Sequence, residues 1–438
     1  MLTRPWWLVL VALTACGGAR TEHRLELEAI APADERGSAL PRGVTPLSPL
    51  PLTEAERRAF EEMVGDARVV LLGESSHGAG NAFSWRAAIV ALLHEELGFD
   101  HLVMESSFYE CRRAWTAVAR HRDPVRLGRQ CAFDIWAVAR EAAPLFRHVA
   151  QSRDDDRPLR LWGMDSQLSG DDHDDLLAAM TELAERHAPG FDAELLRHTL
   201  VALRDDEVER TDVQHVEGAA LLMKIREGIA SAPRDAPLPS EDRGFWLVVL
   251  DSLIATEEDY WLFQQSGRRI DAKQHNIRER QMATNMRYLL ERHPNDRFVV
   301  WLHTTHAARG LMALGVVDHG NHQHDFSEMT SFGEELARAL DPDPLVMAVM
   351  SSEGRWRTAG KGADGTVPPQ PEGDLCDRLD ERGLDRVLID LRVAQEGWPW
   401  LRETISAPIL GPEPSPTVWP EHVNALLYDR VMTPATPR

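Results

Sequence analysis

The stretch RVVLLGESSHG, residues 68–78, decides how the fold is read. Arg68 to Leu72 is short, apolar and β-branched at Val69 and Val70, the pattern of a strand buried on both faces. Ionisable residues follow, and then a helical pattern begins. Trp85, Ala88, Ile89, Leu92 and Leu93 recur at i, i+3, i+4, i+7 and i+8, and Gly98 is the stop. A second apolar run, His101 to Glu105, comes at once. Strand, helix and strand with short joints make a βαβ unit, so the spacing predicts a parallel sheet with a right-handed crossover.

Outward from this unit the same grammar continues. Thr53-Glu54-Ala55-Glu56 is a helix-capping signal upstream. Helical patterns cover 111–121 and 134–151, and a strand at Leu159 to Met164 ends in Asp165. From about 172 to 292 the chain is helical by pattern, broken by the Pro-rich stretch 232–240. Strands resume at Phe298 to Leu302, Leu345 to Met350 and Arg386 to Leu391, while the Gly- and Pro-rich stretch 358–374 reads as a long mobile loop. The expected class is therefore α/β: a central, mostly parallel sheet flanked by helices, with a large helical insertion. The expected divisions are a leader (1–15), a tether (16–50), two parts of the α/β core (51–170 and 293–438) and the helical region between them (171–292).

The leader has a short basic start, about eleven apolar residues, and Leu13-Thr14-Ala15-Cys16, which resembles a bacterial lipoprotein processing box. It predicts a lipid on Cys16 and a body held at the cell envelope by its tether; an ordinary secretory signal is the rival reading. The formal charge of −22, from 48 basic and 70 acidic residues, disfavours nucleic acid as a partner. Four cysteines are too few for a disulfide-dense scaffold, and a Cys111–Cys131 bridge stays open at this level.

In a parallel sheet, ligands collect beyond the carboxyl ends of the strands. Here the first strand runs into Glu74 and His77, the second ends at Glu105, the third at Asp165 and the fourth at His303-Thr304-Thr305-His306. Strand after strand finishing in ionisable groups predicts a cleft lined by carboxylates and imidazoles. Two arginines join it. Arg86 borders the apolar face near Ile89 and Leu93; Arg278 shares a helical stripe with Met282, Asn285, Met286 and Leu289. A charge on an inward stripe needs a partner, and the cleft carboxylates supply one; the bland alternative is that each arginine snorkels to water.

These residues resemble the erythromycin esterase family. The resemblance rests on G-E-S-S-H-G with Arg86 after it, M-E-S-S-F at 104–108, W-G-M-D-S-Q at 162–167, N-I-R-E-R-Q-M-A-T-N at 276–285 and W-L-H-T-T-H at 301–306, in this order over about 50–430. It implies an α/β core with a largely helical second region. It implies a catalytic set of His77 as base with Glu74, Glu105, Arg86 and His303 around it. Arg278, Asp165 and His306, at the same sheet edge, are expected to bind the substrate. Family members that hydrolyse macrolides commonly carry asparagine where Thr304 stands, which puts that substrate in question for this chain.

The serines are a weaker choice of nucleophile. The usual elbow needs a glycine two residues to either side of the serine, and neither Ser75 nor Ser76 has both. The expected chemistry is instead hydrolysis of an ester or lactone by water activated at His77, without a cofactor. Zinc on His77, Glu74, Glu105, His303 and His306 is the competing mechanism; it is disfavoured because a strand does not put residues three apart on one face and no H-E-x-x-H helix is present. His319, His322 and His324 read as a solvated loop. The contrasting classes are a non-catalytic small-molecule- or haem-binding lipoprotein, and an enzyme acting on a polysaccharide or phosphate-bearing envelope component.

Overall fold

The computed structural model describes residues 39–438 except 172, 206–207, 269, 319–322 and 361. The leader, Cys16, most of the expected tether and two of the clustered histidines, His319 and His322, lie outside the described residues.

The main sheet has eight strands: β1 (Val44–Pro46), β2 (Val69–Glu74), β3 (His101–Ser107), β4 (Arg160–Asp165), β5 (Phe298–His303), β6 (Leu345–Met350), β7 (Arg386–Asp390) and β8 (Ala425–Asp429), in the spatial order β1-β7-β8-β6-β2-β5-β3-β4. Every pairing from β8 to β4 is parallel. β7 and β1 complete the other edge antiparallel. β2 and β6 are buried at every position, as expected of central strands covered on both faces.

Side-chain alternation sorts each strand between two apolar layers. Val69 and Leu71 enter one with Met180, Leu222, Trp246 and Met286; Val70 and Leu72 enter the other with Trp85, Ile89 and Phe146. The first layer is roofed by the helical region: α5 (His173–His187), α6 (Ala193–Arg204), α7 (Asp212–Ser231), α8 (Arg243–Gln265) and α9 (Ala272–Arg292). The second is roofed by α1 (Gly80–Glu95) and a helix at Ala143–Gln151, with α2 (Phe108–His121), α3 (Pro124–Cys131) and the short α4 (Asp134–Ala137) between them in sequence.

Three stretches depart from expectation. Val44–Pro46, inside the expected tether, is the edge strand pairing with β7, so the ordered body begins before residue 51. The expected loop 358–374 contains Asp364–Thr366, which forms an antiparallel hairpin with Glu353–Arg357. Ala425–Asp429 is a full strand that the pattern did not announce. These segments are short, and their pairing comes from distant chain rather than from local periodicity.

Cys111 and Cys131 are disulfide-bonded and buried, joining the start of α2 to the end of α3. With a separation of 20 residues, the closed loop should contribute about 3 kcal/mol. Replacing both cysteines with alanine is expected to lower the thermal midpoint by several degrees in a scan without reductant; an unchanged midpoint would show that the bridge does not constrain the fold.

Candidate active site

The strand ends meet as the parallel register requires. Glu74 and His303 are register partners across β2 and β5. Two glycines let the ends approach: a Cβ on Gly73 would lie 2.6 Å from Thr304 Oγ1, and one on Gly163 would lie 2.2 Å from the Ser107 carbonyl oxygen. The β3–β4 register shifts between Met104 and Ser107, so Glu105 sits in an irregular turn of strand rather than in the regular pleat.

Two charge clusters face each other there. In the first, His77 Nδ1 lies 2.8 Å from Glu74 Oε1, which also accepts from Trp136 Nε1 at 3.1 Å. Glu74 Oε2 is paired with Arg86. The Arg86 guanidinium donates to the carbonyls of Leu72 and Leu302, each at 3.1 Å, and lies 3.6 Å over the Trp301 ring. A carboxylate only accepts, so Nδ1 of His77 is the protonated nitrogen and the lone pair sits on Nε2. Burial holds His77 down at about 4, against the upward pull of Glu105. The imidazole is therefore neutral at ordinary pH.

In the second cluster Arg278, from α9, bridges two strand ends. Its Nη2 lies 2.5 Å from Asp165 Oδ2 and 3.1 Å from Glu105 Oε1, and its Nε donates to Asp165 Oδ1 at 3.1 Å. Burial opposes its charge, but Asp165, Glu105 and Glu279 outweigh it and hold the guanidinium well above its ordinary value. Burial would likewise raise the Glu105 carboxyl, yet His306, Arg278 and His77 keep it well below the usual carboxylate range.

Strand β5 leads into α10 (Thr304–Ala307) without a loop, and His303 caps that helix by accepting the Thr305 N–H on Nδ1 at 3.2 Å. A backbone N–H can only donate, so His303 carries its proton on Nε2. Its backbone N–H donates to Glu105 Oε2 at 2.7 Å. The helical turn overturns the expectation that His303 and His306 cannot share a face, because residues three apart do so in a helix. The His303 ring centroid lies 4.8 Å from that of His77 and 6.4 Å from that of His306.

The sequence-derived set is thus brought together, with two corrections. Arg86 is fully buried and touches strand carbonyls and Trp301, so it holds Glu74 rather than reaching a ligand. Thr304 is also fully buried, against Gly73, so the departure from the family pattern there does not face the cleft. His77, Arg278 and His306 keep some side-chain exposure, at 14%, 16% and 10%, and His303 is also only partly buried. Ser75 is buried and Ser76 Oγ accepts the Gly78 N–H at 3.2 Å, so these serines shape the turn.

Trp136 and Glu279 complete the site without having been singled out. Glu279 does carry a signal: with Met282, Ala283 and Met286 it forms a second inward stripe of the same helix. Trp136 has none, since its place depends on the turn that follows the disulfide.

The donors proposed for zinc are otherwise engaged, Glu74 by Arg86 and Trp136, Glu105 by Arg278 and the His303 N–H. Among the described residues, donors within ligating distance of one another are His101, His293 and Asp296, at the opposite ends of β3 and β5. Trp162 Nε1 donates to His101 Nδ1 at 3.1 Å, so His101 Nε2 bears a proton, which it directs to Asp296 at 2.8 Å. That arrangement does not suit a cation.

A family model described as erythromycin esterase matches residues 94–429. YbfO of Bacillus subtilis (strain 168), named as a candidate hydrolase, is 25% identical over 283 residues, which is 60% of this chain and 62% of that protein. The chain thus spans less than two thirds of that relative. A solved Bacillus cereus protein superposes with a TM-score of 0.71 at 17% identity, over 90% of this chain and 97% of that one. A succinoglycan biosynthesis protein gives 0.69 at 15%, over 90% and 95%. A histidine-to-asparagine mutant of the erythromycin esterase EreC, in its open conformation, gives 0.67 at 14%, over 90% and 98%. At these identities the structural likenesses show a shared fold.

Proposed function

The chain belongs to the erythromycin esterase family, and from that premise we propose that it hydrolyses carboxylic esters or lactones with His77 as the general base. The observation that carries this reading is the Glu74–His77 contact of 2.8 Å. It fixes the tautomer and leaves the Nε2 lone pair on a neutral ring beside cations held at the same sheet edge.

In the proposed step, Nε2 of His77 takes a proton from water as the water oxygen bonds to the carbonyl carbon. The charge developing on the carbonyl oxygen is met by Arg278 and by the His306 imidazolium, while the ring N–H of His303 donates to the Ser75 carbonyl and holds that imidazole beside His77. The bond to the alcohol oxygen then breaks, and the proton on His77 passes to that oxygen. An ester yields an acid and an alcohol; a lactone yields one hydroxy acid.

Charge favours a neutral substrate. Four carboxylates (Glu74, Glu105, Asp165, Glu279) meet three cations (Arg86, Arg278, His306). The cations are thereby neutralised, which argues against a phosphate-bearing substrate. A panel of neutral esters and lactones tests the proposal. Tight binding of a small molecule or haem without turnover would point to the non-catalytic class instead.

The envelope placement is part of the same proposal. It rests on the leader, with Cys16 as the lipidated residue, and a buried disulfide suits an oxidising compartment. Cys16→Ala is expected to abolish labelling by radioactive palmitate and to move the protein from the membrane to the soluble fraction. Unchanged fractionation would refute the anchor.

A further inference from the structure

Helix α9 delivers an acidic side chain next to Arg278, and its position has a chemical consequence for the cleft. Glu279 is completely buried. Its Oε1 lies 2.6 Å from His306 Nδ1, and its Oε2 accepts the backbone N–H of Phe332 at 2.7 Å, the first residue of α11 (Phe332–Ala337). On the other side of the ring, His306 Nε2 lies 3.2 Å from Glu105 Oε1. His306 is therefore clamped between two carboxylates, one beneath it and one at the cleft.

We propose that Glu279 is a positioning residue that holds His306 as an imidazolium, with its Nδ1–H anchored and its Nε2–H aimed at the reaction centre. The proposal rests on the hydrolase reading for its catalytic half.

The charge accounting around the ring explains why the proton stays. Arg278 serves Asp165 and Glu105. His275, one turn earlier on α9, is 3.9 Å from Glu279 but donates its Nε2–H to the Thr330 carbonyl at 3.0 Å, and burial keeps it below its ordinary value. If His306 lost its proton, Glu279 would keep only the more distant charge of Arg278 and no cation in hydrogen-bond contact among the described residues, wholly removed from water, which is costly. The groups facing His306 are Glu105 from β3, Arg278, Glu279 and His275 from α9, His303 from β5 and His77 beyond β2. Burial pulls the imidazole down, but Glu279 and Glu105 prevail and raise it to about 10.

The two carboxylates are not equivalent. The Glu279 contact is the shorter, and Glu105 already accepts from Arg278 and the His303 N–H. The Nε2–H can thus turn from Glu105 to a substrate oxygen without stranding that carboxylate, while Nδ1–H stays in place.

The test combines histidine titration by NMR with hydrolysis of 4-nitrophenyl acetate. With ¹⁵N-histidine label, and His306→Gln for assignment, His306 of the wild type should remain doubly protonated to about pH 10. Glu279→Gln should lower that titration by roughly one to three pH units. The alkaline limb of kcat/KM should move with it, and Glu279→Asp, which keeps the charge, should restore part of the shift. Circular dichroism checks that each variant is folded, and Glu279→Asp keeps the comparison decisive if Glu279→Gln is not. A wild-type His306 that titrates near its ordinary value, or one unmoved in Glu279→Gln, overturns the anchor. A titration that moves while the alkaline limb does not overturns the catalytic half. A wild type inactive on all esters would defeat the hydrolase reading alone, because the NMR titration uses no substrate.

Discussion

His77→Gln is expected to reduce kcat/KM for the best ester substrate by roughly 10²- to 10⁴-fold, the range that a general base contributes. Stability should change little, because Glu74 keeps both Arg86 and Trp136 after the imidazole is gone. No buried carboxylate is stranded, and the ring itself is partly exposed. Loss of activity with an intact melting transition therefore separates chemistry from folding. The pH profile supplies a second readout. Only the neutral imidazole accepts a proton, so activity falls as pH drops through the value of the base. Burial sets that value at about 4, so kcat/KM in the wild type should hold down to weakly acid pH and decline only below it. Retention of most activity in His77→Gln would sink the assignment. So would an abrupt loss in Ser75→Ala, which would return the nucleophile to the serine that the elbow geometry disfavours.

Much of the site could be read before any coordinates because each of the four strands that carry it, β2, β3, β4 and β5, announces itself twice. An apolar run marks its body, and an ionisable residue marks its carboxyl end. Glu74, Glu105, Asp165 and His303 converge for a topological reason: parallel strands present the same end to the same side. What the pattern could not supply was the pairing beneath them. Arg86 and Arg278 both looked like charges on inward stripes, yet one lies under the strand ends and the other spans them. Sequence spacing gives the face of a helix but not its depth. The spacing of His303 and His306 misleads through secondary structure, since a strand that becomes a helix at Thr304 changes the meaning of a three-residue step. Trp136 and the edge strand β1 owe their places to contacts across long sequence separations, which no local window contains.

Arg86→Met is expected to lower stability by about 3–5 kcal/mol, the usual consequence of removing one partner of a buried ion pair. Arg86 and Glu74 are both fully buried. The methionine fills part of the space but leaves Glu74 without its cation and the Leu72 and Leu302 carbonyls without their donor. Activity should fall as well, since Glu74 is the group that orients His77. The double variant Glu74→Leu, Arg86→Met distinguishes the two roles. Replacing a whole buried pair by apolar residues is often neutral or stabilising by about 1–4 kcal/mol, so urea denaturation should show stability largely recovered. Hydrolysis should not recover, because His77 Nδ1 then has no carboxylate to hold its tautomer. The loss should appear in kcat more than in KM, as Glu74 contacts the base rather than the substrate. Recovery of both stability and turnover in the double variant would mean that the Arg86–Glu74 pair is a structural bolt with no part in orienting the histidine.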